Sequence, residues 1–428
     1  MKTVAGKLMG GLLVMASTAW AVTSPDPGTR YLVFMSEFSP NQAEPKNREA
    51  IQAVAKPFPA YGENGRVKVA IGAIFYYFNG RLDQHEAGLR QLLKLSEELQ
   101  VPVMIKLDGE QWWQTRPDLW NWWDPTKPGY NPENRKNVEW TWWSPDQALK
   151  IAWRNWGRQV RVLPPPNLMS PPYRQACHEV MGRLIPIISD WYKQLPADQK
   201  DLLAGVTVGW ESGMGINSYY YPNGNDYLDQ PAEKDPFWHM AKDDVLSRGM
   251  TQIGYAAVST AGIRSKGDIT EEDLYEVTRR HLEDLARTAA ELGLPRERLF
   301  THGWGNPESP KGERLHAAPL NRWACPGWSS YSTQPVTKNM GMLQNAENSD
   351  APHWAVAEWL LMKPVDNYDE WRKAYEQILA LPGCRMLCVF SWRNLVKNEQ
   401  LTKAAEAARD YVRASVSSAA GTMPAKGK

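Results

Sequence analysis

The sequence predicts an α/β fold, a single (β/α)₈ TIM barrel with long tryptophan-rich loops on its C-terminal rim. From Arg30 onward, short apolar runs alternate with amphipathic helical stretches, which is typical of parallel βαβ units. Eight such runs occur, and no stretch of linker-like composition divides them. The length of 428 residues, 43% of them hydrophobic, fits one barrel with long loops.

The predicted strands are short and apolar, and the predicted helices have a clear apolar face. The strands cover residues 31–36, 67–75, 101–107, 204–210, 299–303, 324–330, 354–358 and 386–391. Between them, Leu89, Leu92 and Leu93 share one face at the 3.6-residue period of a helix. Thr270, with Asp273 at the third helical position, predicts a capping box at the start of another helix.

The chain is predicted to have three parts. Residues 1–21 have the pattern of a signal peptide: lysines, a short apolar run and a small-x-small cleavage site. Residues 22–414 form the barrel, and residues 415–428, rich in Ser, Ala, Gly and Lys, are expected to be a disordered tail. We therefore expect a periplasmic or secreted protein without a membrane anchor after signal cleavage.

The overall charge argues against two classes of partner. With 49 basic and 48 acidic residues, the formal net charge is +1. A chain so balanced has no net field to attract nucleic acid or an anionic membrane surface, and neither is expected as a partner.

The histidines and cysteines show no metal-ligand spacing, and no Gly-x-Ser-x-Gly or phosphate-binding glycine loop occurs, so no cofactor and no metal are expected. Cys384 and Cys388 would lie roughly 13 Å apart in one strand, too far to form a disulfide with each other. They are predicted to be buried thiols. Whether Cys177 and Cys325 pair is left open.

Tryptophan is unusually abundant, with 21 residues, ten of them between Trp112 and Trp156. Eight of these lie among Asp, Asn, Pro, Gly and Lys, which favour loops: Trp112, Trp113, Trp120, Trp122, Trp123, Trp140, Trp142 and Trp143. We predict that these loops expose their indoles to bind a flat ligand. They belong to a connection of about sixty residues after the third strand, and a second long connection follows the fourth. Both lie on the C-terminal rim, where barrel enzymes build their sites.

Two glutamates end predicted strands, Glu211 the fourth and Glu358 the seventh. A structural salt bridge would explain either one alone. Together they are more informative, because these strands lie across the barrel mouth and their carboxylates can approach to the roughly 5 Å that double displacement requires. Glu358 is then the nucleophile and Glu211 the acid/base.

This arrangement resembles the clan A retaining barrel glycosidases, which include β-galactosidases, cellulases and mannanases, over about residues 31–394. The resemblance implies an exported glycoside hydrolase with a carbohydrate substrate. It also implies that Trp392 stacks on a sugar, Tyr331 bonds the nucleophile, and His302 is an active-site histidine. The clan usually places Asn before the acid. Here that position is Trp210, so the sugar 2-position is expected to be contacted differently.

Further polar and aromatic residues follow the predicted strands and suit a sugar site. Aromatic faces stack on pyranose rings, while carboxylates and amides bind hydroxyls. The predicted substrate-binding residues of this kind are Glu37, Tyr76, Asn79, Asp108, Glu110, Trp112, Trp304 and Asn306.

Three alternatives remain at this point. The Gly-Trp-Glu-Ser sequence ending at Ser212 is similar to the acid-bearing strand of β-amylases, which invert. An inverting or sialidase/uronidase-type barrel could use Asp108 with His302. A non-catalytic carbohydrate-binding barrel could use the indoles and pair its glutamates with arginines such as Arg393.

Overall fold

The computed structural model describes residues 28–59, 66–150, 152–155, 159–213, 218–219, 252–305, 314–332, 336–362 and 366–420. The predicted signal peptide and Asn306 lie outside these residues. Within them, no helix combines the length and the apolarity that crossing a bilayer requires.

Eight parallel strands close into a barrel, which confirms the predicted fold class. Along the chain the barrel strands are β1 (Arg30–Met35), β2 (Val67–Tyr76), β3 (Val103–Asp108), β6 (Leu203–Ser212), β8 (Leu299–Gly303), β9 (Gly327–Ser332), β10 (Trp354–Leu361) and β11 (Cys384–Val389). Their order around the barrel is β1-β11-β10-β9-β8-β6-β3-β2. All eight predicted runs are barrel strands, and β6 and β10 carry the two glutamates.

Helices connect the strands on the outside of the barrel. They are α1 (Glu44–Ala55), α2 (Leu82–Leu99), α3 (Pro117–Trp120), α4 (Pro171–Gln194), α5 (Tyr255–Thr260), α6 (Glu271–Glu291), α7 (Met340–Glu347), α8 (Tyr368–Ala380), α9 (Trp392–Lys397) and α10 (Thr402–Ala420). The predicted capping box is confirmed, since Thr270 and Asp273 bond each other's backbone N–H at the start of α6.

The barrel interior changes from apolar to charged along the strands. Alternate residues of a strand point inward, so Met104, Lys106 and Asp108 of β3 follow one another up the interior. Likewise, Phe300 is followed by His302 on β8. The apolar lower layer packs the core, and the buried polar groups collect at the carboxyl ends of the strands, where a TIM barrel carries its site.

The two long connections join into one structure on the rim. The antiparallel strands β4 (Ala152–Asn155) and β5 (Gln159–Val162) extend from the first connection, and β7 (Ser218–Tyr219) of the second pairs with β4. The fully buried Glu139 carboxylate accepts backbone N–H bonds from Gly254, Ala256 and Ala257 at the start of α5.

The predicted exposure of the indoles is wrong for three of the eight, while four others are half-buried. Trp113, Trp120 and Trp140 are buried, and their N–H groups donate to backbone carbonyls. Of the eight, only Trp142 is among the exposed large side chains, at 44%. Trp113 and Trp120 pack into the main apolar core, and Trp140 packs with Tyr255 and Ala256, so these indoles anchor the insertion to the fold.

Two further expectations are settled by the fold. Helix α10 continues to Ala420, so residues 415–420 are helical and the disordered tail predicted from residue 415 is wrong there; alanines favour the helix. All four cysteines are buried free thiols, as expected for Cys384 and Cys388, and Cys177 does not pair with Cys325.

Candidate active site

A β-bulge turns Glu358 into the barrel. In the pairing of β10 with β9, Val356 faces Trp328 and Glu358 faces Ser329, so Ala357 is an extra residue. Strict alternation from the inward-facing Ala355 would place Ala357 inside. Because of the extra residue, Glu358 points inward instead. Bulges next to active sites commonly redirect a side chain in this way.

Strand β6 is irregular at Glu211 as well. In the pairing with β8, Val208 pairs with Thr301 and Ser212 with Gly303, so β6 contains two extra residues between these pairs. Gly209 and Glu211 both have positive φ, 78° and 46°. A non-glycine residue in this conformation costs free energy, and such strain is concentrated at functional sites.

Both carboxylate oxygens of Glu358 have partners. The Tyr331 hydroxyl donates to Oε1 at 2.8 Å, and the Lys106 ammonium bonds Oε2. All of this lies inside the barrel, where Lys106 is fully buried and Glu358 nearly so. The contact expected of Tyr331 is present. Lys106 was missed from the sequence, although a lysine at an inward position of an otherwise apolar strand was the signal.

The negative charges of Glu211 and Glu358 both affect the pKa of two tyrosines, Tyr76 and Tyr331. Burial raises the pKa of Tyr76 and of Tyr331 above the usual value, and the negative charges of both glutamates raise it further. Tyr76 also accepts a hydrogen bond from Trp112, which places another predicted site residue beside it.

Asp108 stands beside Tyr76 at the end of β3. Its Oδ1 accepts backbone N–H bonds from Glu110 and Gln111 at 2.8 and 3.1 Å. Complete burial and the nearby charge of Glu110 raise the pKa of Asp108 to about 7. Its Oδ2 is buried without a hydrogen-bond partner in the described part of the chain, which leaves an acceptor for a ligand.

Glu110, predicted to bind sugar, is engaged with the protein. Its Oε1 accepts bonds from the Ser212 hydroxyl at 2.6 Å and the Trp210 backbone N–H at 3.3 Å, and lies 3.0 Å from His281 Nε2. Trp210 itself is buried at 6% exposure. These contacts connect β3, β6 and α6 behind Glu211.

His302 and Trp304 extend from β8. Burial, together with the charge of Lys106, holds the pKa of His302 well below its usual value, so this imidazole is neutral. Its Nε2 lies 2.7 Å from the Ser329 hydroxyl. The Trp304 indole N–H is buried and makes no hydrogen bond to any described residue.

Two predicted substrate-binding residues lie elsewhere. Trp392 begins α9 and packs between the barrel and its helices, with ring centroids 5.0 Å from Phe34 and 5.9 Å from Phe58. The sugar-stacking role implied by the resemblance is therefore wrong for it. Inward alternation on β11 passes from Cys388 to Phe390, which packs on the interior cluster and was missed.

Glu37 is exposed and forms ion pairs with Arg393 at 3.2 Å and Lys397 at 3.8 Å. This is the rim salt bridge that needs no ligand. The carbohydrate-binding alternative had suggested that Arg393 pairs with one of the two glutamates of the barrel mouth. Arg393 pairs with Glu37 instead.

Comparisons with known proteins give structural likeness only. No family model matches the chain, and no curated protein matches it. Among solved structures, the catalytic domain of a β-amylase from Paenibacillus polymyxa is similar at TM-score 0.47 and 8% identity, covering 90% of this chain and 99% of that one. An exo-β-1,4-mannosidase from Opitutaceae bacterium strain TAV5 has TM-score 0.44 and 12% identity, with coverages of 91% and 60%. A broad-specificity endoglucanase from an uncultured bacterium has TM-score 0.40 and 8% identity, with 84% of each chain covered. Likeness at this level assigns no function.

Proposed function

We propose that this chain is a glycoside hydrolase that cleaves a glycosidic bond with retention, with Glu358 as nucleophile and Glu211 as general acid/base. The observation that carries the proposal is that two irregular strands, β6 and β10, each carry a glutamate at the carboxyl-terminal end of the barrel, where Lys106 and Tyr331 hold Glu358. Paired carboxylates at one cavity are the requirement of glycoside hydrolysis.

The surroundings of the two carboxylates support different roles for them. Glu358 is nearly fully buried between an ammonium and a phenol donor, which hold its carboxylate in one orientation, as a nucleophile needs. Glu211 is half-buried at the end of β6, where a leaving group can depart and water can enter. This position suits the residue that exchanges protons with both.

The reaction then has two balanced steps. A Glu358 oxygen bonds to the anomeric carbon while the bond to the leaving oxygen breaks, and Glu211 gives that oxygen its proton. Water next attacks the anomeric carbon, Glu211 takes its proton, and the bond to Glu358 breaks. The sugar is released with its original anomeric configuration, and both glutamates return to their starting states.

We propose a polysaccharide or glycan outside the cytoplasm as the substrate. The support is the signal-peptide pattern of residues 1–21, together with a cavity that combines aromatic rings with hydrogen-bonding groups. The mature protein should begin near Val22. Recovery of the mature protein with residues 1–21 intact would contradict export by this route.

Azide rescue tests the two glutamates. The wild type is first assayed on aryl glycosides of a panel of sugars, with the product configuration read by NMR. Glu358→Ala should lower kcat by on the order of a thousandfold or more, and azide should restore turnover and give a glycosyl azide of inverted configuration. Glu211→Ala with azide should give the retained configuration instead, because azide then attacks the glycosyl-enzyme.

Asp284→Asn is the matched control, since Asp284 is a buried carboxylate that pairs with Arg174 and His178 away from the barrel mouth. It should keep the wild-type rate and give no azide product. Inverted product from the wild type would replace the retaining mechanism with an inverting one. Glycan binding without release of reducing ends would favour the non-catalytic barrel.

A further inference from the structure

We propose that Glu110 is a positioning residue that holds Glu211 in its working conformation through bonds to both of its chain neighbours. The inference rests on the proposed function, since it concerns the acid/base of that reaction. Its direct support is that one oxygen, Glu110 Oε1, accepts from the backbone N–H of Trp210 and from the hydroxyl of Ser212.

Glu110 is itself fixed from two sides. Its backbone N–H donates to Asp108 Oδ1, which ties it to the end of β3. On the other side, His281 Nε2 of α6 lies 3.0 Å from Oε1, and the His281 ring stacks on Tyr173. The Tyr173 hydroxyl donates to the Gly109 carbonyl and closes the network. Groups held this way keep a carboxylate in one place.

The backbone around Glu211 needs such support. Glu211 adopts a left-handed conformation that few non-glycine residues occupy, and it persists only where surrounding contacts hold it. Gly209 also has positive φ, and a Cβ there would lie 2.6 Å from Leu282 Cδ2 and 2.7 Å from Ser212 Oγ. The segment from Gly209 to Ser212 is therefore shaped by close packing and by Glu110.

Leaving-group dependence tests this role. A glycoside with a poor leaving group needs a proton from Glu211 in the first step, whereas a dinitrophenolate departs without one. Displacing Glu211 should therefore slow the first step only for substrates with a poor leaving group. We expect Glu110→Met, which removes the oxygen that accepts both bonds, to lower kcat/KM for phenyl glycosides by on the order of 10²-fold. The rate of the first step with 2,4-dinitrophenyl glycosides should change little.

Two further variants complete the design. Ser212→Ala removes one of the two bonds to the segment and should show the same leaving-group pattern more weakly. Asp284→Asn lies on the same helix as His281 and pairs with Arg174 and His178, so it should leave the leaving-group dependence unchanged.

An equal loss of rate on both substrates in Glu110→Met would overturn the inference, because a merely structural defect lowers both. So would an unchanged rate on phenyl glycosides. If instead the wild type cleaves no glycoside of either kind, the proposed function fails, and that result is distinct from a failure of the role of Glu110.

Discussion

Lys106 is the residue that most changes the view of this site. Its side chain is fully buried in the barrel and forms an ion pair with Glu358. Such pairs cost desolvation, and a well-packed apolar pair of similar volume is often as stable or more so. We therefore interpret Lys106 as a residue retained for its contact with Glu358, which it holds in place, and not for stability alone.

The first prediction concerns Lys106→Met. It leaves the Glu358 carboxylate buried without its cation and with only the Tyr331 hydroxyl to orient it, so kcat/KM should fall. At neutral pH the free energy of unfolding, measured by urea denaturation, should fall by about 3–5 kcal/mol. The double variant Lys106→Met/Glu358→Gln removes both charges and should be more stable than the single one. Equal stability of the two would show that the pairing is not the cause.

Among the elements, α5 depends on a carboxyl group from another loop. Glu139 accepts the N–H bonds of Gly254, Ala256 and Ala257, which otherwise lack partners at a helix start. Trp140 and Tyr255 pack together beside it. The two rim connections are thus fastened to each other by one buried side chain.

The protonation of Glu139 should make stability depend on pH. Burial raises the pKa of Glu139 to about 8 from 4.5, despite the backbone N–H bonds that lower it. Because the folded-state pKa is raised, its stabilisation is complete below pH 4.5 and is lost as pH rises to about 8, by up to about 1.4 kcal/mol per pH unit. Glu139→Gln should flatten the free energy of unfolding in this window. Asp108→Asn separates the contribution of Asp108, whose pKa is also raised. An unchanged slope in Glu139→Gln would contradict this assignment.

The strands of the barrel could be predicted from the sequence more fully than the candidate site could. Parallel strands buried on both faces read as apolar runs, so the barrel strands could be found. The sequence could not show which residue at the end of a strand faces inward, because one extra residue reverses the alternation of inward and outward side chains. The bulge at Ala357 is of this kind. Trp392 was misplaced because β11 ends at Val389 and Trp392 already begins α9. The buried tryptophans were misplaced because the composition around them is that of a loop, although Trp113 and Trp120 pack into the main core.

At the scale of the whole molecule, the two ends of the barrel have different tasks. The carboxyl ends of the strands hold the candidate site, and the opposite end is fastened by Asp201. Its carboxylate accepts from Thr29 at 2.5 Å and bonds Lys68 at 3.1 Å and Arg298 at 2.9 Å. Arg385 lies 3.7 Å away. Residues at the starts of β1, β2, β8 and β11 thus meet at one carboxylate, which closes the base of the barrel.

Asp201→Asn tests whether this cluster stabilises the fold without serving the reaction. Burial works to raise the pKa of Asp201, but hydrogen bonds from Thr29 and Arg298 and the charge of Lys68 lower it well below 3.8. Because the folded-state pKa is lowered, the stabilisation is complete above about pH 4 and disappears as pH falls further. The variant should lose on the order of 3 kcal/mol of unfolding free energy at pH 7, and the loss should shrink toward pH 2.

A control variant and a measurement of kcat/KM show whether the effect of Asp201→Asn is confined to stability. Asp83→Asn breaks an exposed ion pair with Arg81 and should leave stability unchanged, because solvent screens such pairs. Asp201→Asn should keep the wild-type kcat/KM at temperatures where it remains folded, since the base of the barrel lies opposite Glu211 and Glu358. A drop in kcat/KM in the folded variant would show that the base of the barrel also controls the geometry of the mouth.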